Sequence, residues 1–319
     1  MPKESDFRTE EAPAPRAGEG QMLVRTLYWS VDPYMRGRIT GVRTYADPVL
    51  VGDMMAGGAV GEVIESKTPG YSVGDYVTGY WGWQEYAAVS AREVTRVNPD
   101  VAPISTALGV LGMPGMTAYF GLLEFCNPKA GETVVVSGAA CAVGSAAGQI
   151  ARIKGCRVVG IAGGPEKTKH LTDELGFDAA LDYKATSDYG ASLKELCPTG
   201  IDCYFDNVGG DLSDAVFRLI NLFGRVAVCG QISLYNLEKP DPGLRLLPHI
   251  LTRQMRVEGF IITRFASRFA EGYAQMAAWL REGKLQYREH IVDGFENIPR
   301  AFIGMLQGEN IGKMLVRAR

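Results

Sequence analysis

With 319 residues, 46% of them hydrophobic, and a net charge of −3, the chain has the length for two hydrophobic cores and no basic field for nucleic acid or an anionic membrane surface. No apolar run reaches the ~18 residues of a membrane span, and the opening Met-Pro-Lys-Glu-Ser does not read as a signal peptide, so the cytosol is the expected location. Cys126, Cys141, Cys156, Cys197, Cys203 and Cys229 form no CxxC pair and the histidines are His170, His249 and His290 alone, which leaves no zinc spacing, no disulfide framework and little room for a His-based triad.

The first hundred residues are rich in Gly and Pro, with β-like runs at Met22 to Tyr28, Gly58 to Ile64, Asp75 to Gly79 and Glu85 to Val89. From Met116 the texture changes. Thr117 to Phe125 reads as a helix, and strands then alternate with helices of about ten residues: strand Thr133 to Ser137, a helix after Ala142, strand Arg157 to Ile161, helix Glu166 to Leu175, strand Ala179 to Leu181, helix Tyr189 to Leu196, strand Ile201 to Asp206, helix Leu212 to Leu222, strand Arg225 to Cys229 and a strand from Arg256 to Ile262. That alternation predicts a parallel sheet covered on both faces. A helix over Phe265 to Glu282 places Phe265, Phe269, Met276 and Leu280 on one side as a core stripe, and the tail returns to strand and helix texture at Tyr287 to Val292, Ile298 to Leu306 and Lys313 to Val316.

The alternating region is organised around Thr133 to Gly164. A β-branched run is followed by the small-residue turn Gly138-Ala139-Ala140-Cys141 and a helix opening Ala142-Val143-Gly144-Ser145, with Val143, Ala147, Ile150 and Ala151 on one face. Small side chains let the backbone approach a pyrophosphate, and the amides opening a helix point at that anion. In such folds an acid about 20 residues past the turn binds the ribose hydroxyls of NAD. Here the second strand ends Gly160-Ile161-Ala162-Gly163-Gly164 without an acid, and Lys167 follows, which favours NADP(H); the plain reading of Lys167 is a solvated helix residue.

At this point the sequence resembles the zinc-independent medium-chain dehydrogenase/reductases, in the group of prostaglandin reductase, leukotriene 12-hydroxydehydrogenase and curcumin reductase. The residues that carry the resemblance are Tyr28 to Arg36 (YWSVDPYMR), Leu111 to Tyr119 (LGMPGMTAY), the turn with Val143-Gly144-Ser145, Phe205 to Gly210 (FDNVGG), Cys229 to Asn236 (CGQISLYN), Glu258-Gly259-Phe260 and Asn310 to Lys313 (NIGK). They run in order across nearly the whole chain. The resemblance implies an α/β architecture with a Rossmann doubly wound parallel sheet at 117–282 and a GroES-like β-rich catalytic domain built from 1–116 and 283–319. It also implies that Ala142, Val143, Gly144 and Ser145 hold the pyrophosphate and that Lys167 and Tyr183 approach the 2′-phosphate. Asn207, Cys229, Gly230, Tyr235 and Phe260 would line the cofactor, with Asn310 near the nicotinamide half and no metal ligand. A homodimer is a family expectation.

Three departures from the group stand out. Cys141 occupies a turn position that is usually Gly; it reads as a small buried hydrophobe, or, beside a helix N-terminus, as a thiol of lowered pKa whose oxidation blocks the cofactor. The loop after Phe260 reads Ile261-Ile262-Thr263-Arg264-Phe265, without the tyrosine some relatives carry there. An N-terminal strand common in the family is expected to be missing or replaced.

The implied activity is hydride transfer from NADPH to the β-carbon of an α,β-unsaturated aldehyde or ketone and protonation of the enolate. A conjugated carbonyl is already an electron sink, so positioning and oxyanion stabilisation are the main tasks of such a site. Tyr34 is the first candidate for the hydrogen bond to the carbonyl oxygen and Tyr235 the second, although a buried phenol is often structural. Two alternatives remain at this level: an NADPH-dependent quinone reductase, whose product gains no saturated C–C bond, and a non-catalytic NADPH-binding protein.

Overall fold

A computed structural model describes residues 1–239 and 241–319. The chain divides into two compact units, residues 1–109 with 289–319, and residues 110–288. These seams fall seven and six residues from the positions read off the sequence, 116/117 and 282/283. The texture change at Met116 lies inside a helix that already begins at Met113, which is why composition placed the first seam late.

In chain order the first unit carries β1 (Gln21–Ser30), α1 (Tyr34–Arg38), β2 (Ala59–Ser66), β3 (Tyr76–Gly79), β4 (Tyr86–Ser90) and β5 (Val94–Val97). The second carries α2 (Met113–Phe120), β6 (Thr133–Ser137), α3 (Ala142–Ile153), β7 (Arg157–Ala162), α4 (Pro165–Lys169), β8 (Ala179–Asp182), α5 (Tyr189–Leu196), β9 (Ile201–Asp206), α6 (Gly210–Arg218), β10 (Ile220–Val228), α7 (Leu247–Thr252), β11 (Arg256–Gly259) and α8 (Phe269–Arg281). The chain then returns to the first unit with β12 (Glu289–Asp293), α9 (Ile298–Leu306) and β13 (Lys313–Arg317).

The first unit's sheet runs β12-β13-β1-β2-β3-β5, with β4 also on β1. β1 pairs with β4 along residues 21–25 and with β13 along residues 28–30, so one strand serves both ends of the chain. Met22, Val24, Trp29, Met35, Trp83 and Phe302 form its core. The indole nitrogens of Trp29 and Trp81 donate to Gln84 O and Thr26 Oγ1 at 3.0 and 2.9 Å, which satisfies the polar ends of two large apolar groups. Beneath β13 a buried ion pair joins Lys313 Nζ to Asp32 Oδ1 at 3.2 Å, and the same ammonium donates to Val31 O and Met314 O. Two carbonyls and a carboxylate offset the desolvation that lowers the Lys313 pKa.

The second unit's sheet runs β11-β10-β9-β6-β7-β8 with parallel pairings throughout. Every residue of β6 is buried, as a central strand covered on both faces requires. The strand order reverses between β6 and β9, and that switch point is where open α/β sheets take ligands. On α3 the expected face is buried at Ala147, Ile150 and Ala151, while Val143 at the first turn is half-buried. Gly148 is needed there for contact: a Cβ would lie 2.0 Å from the ring of Phe177.

Several element ends differ from the sequence reading. The helix expected to reach Leu222 stops at Arg218 and β10 starts at Ile220; within that strand Phe223 takes a left-handed φ of +62°, where the pairing with β9 slips between Ile220 and Arg225. β11 ends at Gly259, and a 3-10 stretch at Ile262–Arg268 replaces the first part of the helix expected from Phe265. Phe265 and Met276 are buried as expected, with Phe269 and Leu280 half-buried. The short β5 and α7 gave no periodic signal.

At the N-terminal end of this sheet Arg225 grips Glu132: Nη1 reaches Oε1 at 3.0 Å, Nη2 bonds Oε2, and Lys129 N donates to Oε2 at 2.7 Å. Partial desolvation pushes the Glu132 carboxyl up, but these donors outweigh it and leave the pKa lowered. A depressed folded pKa gives stability present above the unfolded carboxylate range and lost as pH falls through the folded value. Glu132→Gln should therefore cost about 1–2 kcal/mol at pH 7 in urea unfolding, with the difference from wild type closing below pH 4; a gap constant with pH would refute this.

Candidate active site

The turn after β6 is built to bring backbone close. Gly138 takes φ +58°, Cys141 N donates to Gly138 O at 3.1 Å, and Ser145 N closes the first turn of α3 on Cys141 O at 2.9 Å. A Cβ on Gly144 would sit 2.2 Å from Gly138 O, so only glycine lets the helix start this near the strand end. The amides of Ala142, Val143 and Gly144 are the orphan donors that a helix start presents to an anion. This cradle fits a pyrophosphate.

Cys141 departs from both readings of it. The residue is exposed rather than a buried hydrophobe. Its Sγ is turned back onto Gly138 O, and desolvation of the thiol raises its pKa against the opposing pull of Lys167. The thiol is therefore not the low-pKa nucleophile that a helix N-terminus can produce.

Tyr183, just past the tip of β8, lies against the turn that leads from β7 into α4, the helix that carries Lys167. The ring of Tyr183 lies against Gly163, where a Cβ would meet it at 2.7 Å. Asp182 Oδ1 accepts from Gly164 N at 2.8 Å and Lys184 N at 3.0 Å, so the acid at the end of β8 is engaged by backbone on both sides. Lys167 is half-buried; desolvation lowers its pKa, the Cys141 thiol opposes that and Lys184 adds to it.

The switch point is held by a residue the sequence left unremarked. Asp206 is buried, and its carboxylate accepts from Ser137 Oγ at 3.0 Å, Tyr204 Oη at 2.8 Å, Val208 N at 2.9 Å, Gly209 N at 3.0 Å, Ser213 Oγ at 2.9 Å and Gln231 Nε2 at 2.9 Å. Its carbonyl also accepts from the amides of Cys229 and Gly230. Around this anchor stand Asn207, whose Nδ2 donates to Ser137 O at 2.7 Å, the Gly230 backbone, and the half-buried Tyr235, whose hydroxyl accepts from Gln231 N at 3.4 Å. Burial pushes the Cys229 thiol up to about 12. Phe260 is placed differently: its ring is buried and stacked on Phe125 at 4.8 Å, in an aromatic cluster with Phe205.

Tyr34 and Asn310 belong to the first unit. Asn310 is buried and donates to Gly312 O at 2.7 Å. The hydroxyl of Tyr34, at the start of α1, is buried and meets no acceptor but the phenol of Tyr80. Burial, followed by the nearby Asp32 charge, pushes its pKa far above the usual phenol range, so it carries its proton at any working pH. Among the described residues no three His, Cys, Asp or Glu side chains gather as a metal site needs, and no helix is long and apolar enough to cross a membrane.

A parallel sheet with a glycine-dependent helix start at one strand end and polar side chains gathered at the strand-order reversal defines a dinucleotide-binding enzyme fold. Residues 1–97 match the family described as N-terminal domain of oxidoreductase, and residues 142–280 match the one described as zinc-binding dehydrogenase. The chain is 50% identical over 319 residues to the putative NADP-dependent oxidoreductase YfmJ of Bacillus subtilis, covering 99% of this chain and 94% of that protein. It is 47% identical over 321 residues to the NADPH-dependent curcumin reductase of Escherichia coli, at 99% and 93% coverage. Among solved structures, CurA from Vibrio vulnificus in complex with NADPH superposes with a TM-score of 0.95 at 44% identity, covering 100% of this chain and 96% of that one. The chain belongs to the zinc-independent medium-chain dehydrogenase/reductases, in the prostaglandin reductase and curcumin reductase group.

Proposed function

We propose that this protein is an NADPH-dependent reductase that saturates the C=C bond of α,β-unsaturated aldehydes or ketones. Its relatives include proteins named NADPH-dependent curcumin reductase, prostaglandin reductase 1 and 2-alkenal reductase (NADP(+)-dependent). The observation that carries the reading is the buried, protonated hydroxyl of Tyr34, which meets no acceptor but the Tyr80 phenol. A phenol is a weak acceptor, and a substrate carbonyl oxygen that develops negative charge would take the Tyr34 hydrogen bond in its place.

In this reading Ala142 to Ser145 hold the pyrophosphate, Lys167 and Tyr183 take the 2′-phosphate, and Asn207, Cys229, Gly230, Tyr235 and Asn310 line the remainder, while Phe260 packs behind them in its aromatic cluster. NADPH when bound supplies the hydride. Tyr34 donates to the carbonyl oxygen as negative charge develops on it, and Tyr235 is the second candidate for that bond. Residues 1–109 and 289–319 form the catalytic domain, and 110–288 the cofactor domain. The protein works in the cytoplasm as a homodimer, a reading favoured by the edge position of β11 and by Leu247 and Leu251, each 77% exposed on α7.

The test is NADPH and NADH oxidation with a trans-2-alkenal, a bulky dienone and a quinone, with mass analysis of products. A product two hydrogens heavier with its carbonyl retained supports the reading; turnover with quinone alone, or with nothing, defeats it. Tyr34→Phe is expected to lower kcat about 10²-fold, the size of losing one oxyanion donor, with the KM for NADPH unchanged. An unaltered kcat/KM for the enone would take Tyr34 out of the mechanism.

A further inference from the structure

Arg38 follows Tyr34 by four residues on α1, so the two side chains share one face. The Nε of Arg38 is buried without a hydrogen-bond partner. Other arginines of this unit have carboxylates, as in Arg25 with Glu62, Arg96 with Asp75 and Arg317 with Asp293. The acid near Tyr34 is already taken: Asp32 is held by Lys313 and by the Ser30 hydroxyl. The guanidinium is close enough to Tyr34 to draw its strongly raised phenol pKa partly back down, so both donors bear on one region. The side chains of Tyr45 and Tyr80, which also bear electrostatically on Tyr34, are 58% and 66% exposed. The buried Nε of Arg38, a permanent cation, lacks an acceptor, and the Tyr34 hydroxyl on the same helix face meets only the Tyr80 phenol, so neither faces a group that carries or develops negative charge.

We propose that Arg38 is a second catalytic residue, its guanidinium meeting the substrate carbonyl oxygen beside the Tyr34 hydroxyl and stabilising the enolate as it forms. The inference rests on the enone-reductase reading. In that step the hydride pair forms a C–H bond at the β-carbon, the C=C π pair moves to join the α-carbon to the carbonyl carbon, and the C=O π pair moves onto oxygen. When the α-carbon takes a proton, the pair on oxygen returns to C=O. Arg38 holds its proton throughout, because a guanidinium does not deprotonate in proteins. It supplies charge at the oxygen where a low-dielectric site makes charge most effective, and the proton for the α-carbon comes from another donor.

The experiment compares wild type, Arg38→Met and Arg38→Lys with NADPH and a series of aryl enones graded from electron-rich to electron-poor, together with one enone carrying a remote carboxylate. Arg38→Met should lower kcat roughly 10- to 100-fold, leave the KM for NADPH unchanged, and lose most on electron-rich enones, whose enolates need the charge most. Arg38→Lys should recover part of the rate. The proposal is overturned if kcat is unchanged, if the loss is uniform across the series and accompanied by a weaker NADPH KM, as local unfolding would give, or if only the KM of the carboxylate-bearing enone rises, as a tail anchor would give. A wild type that reduces no enone removes the parent reading and this inference with it, whereas an active wild type with an unaffected Arg38→Met removes this inference alone.

Discussion

Replacing Asp206 by alanine is expected to destabilise the unit formed by residues 110–288 by about 3–5 kcal/mol, the scale for removing one partner from a buried charged network. Six donors converge on this carboxylate, from β6, β9, the turn after β9, α6 and the loop after β10. A side chain of alanine returns none of those bonds, and each buried donor left unsatisfied pays its own desolvation. Asp206→Asn keeps the shape and one acceptor oxygen but sets an NH2 group among donors, so an intermediate loss is expected. Urea unfolding of the three proteins at pH 7 measures the effect; a loss under 1 kcal/mol for the alanine variant would mean that water fills the space and satisfies the donors. Since the same carboxylate fixes Gln231, and its main chain fixes Cys229 and Gly230, a weaker NADPH KM should accompany the lost stability.

The sheet containing this anchor was legible because parallel strands advertise themselves. Thr133 to Ser137 and Arg157 to Ile161 are β-branched runs at βαβ spacing, and Gly144 marks the close approach of the helix between them to the turn after the first strand. Asp206 was not legible as an anchor. Its donors come from residues 137, 204, 208, 209, 213 and 231, and an Asp before Asn-Val-Gly-Gly in isolation reads as turn chemistry. The pair of Asp32 with Lys313 was hidden for the same reason, as its members stand at opposite ends of the chain. Phe223 shows the opposite failure. Local pattern continued the helix through Leu222, whereas it stops at Arg218, and the left-handed Phe223 lies inside β10, where pairing with β9 slips. Arg38 lies two residues past the quoted motif and carried no pattern of its own; only the burial of its Nε marks it.

Lys167→Glu is expected to shift the ratio of kcat/KM for NADPH over NADH by roughly 10²–10³-fold towards NADH, with kcat at saturating cofactor little changed. For this half-buried lysine a charge-assisted bond to a phosphate contributes about 1.5–2 kcal/mol and the introduced carboxylate adds repulsion of similar size, so the total is about 3–4 kcal/mol at tenfold per 1.4 kcal/mol. The half-buried ammonium is destabilised by desolvation first and by Lys184 besides, and both strains are relieved when an anion arrives between the lysines. Binding a phosphate dianion therefore raises the Lys167 pKa, and NADPH affinity should fall as pH rises through its lowered free value. NADH, which has no 2′-phosphate, should show no such fall, and neither should the glutamate variant. Asp182 does not substitute for the missing acid of an NAD site, because its Oδ1 already accepts from Gly164 N and Lys184 N at the strand tips. An unchanged cofactor ratio in Lys167→Glu would place the 2′-phosphate elsewhere and return Lys167 to an ordinary helix residue.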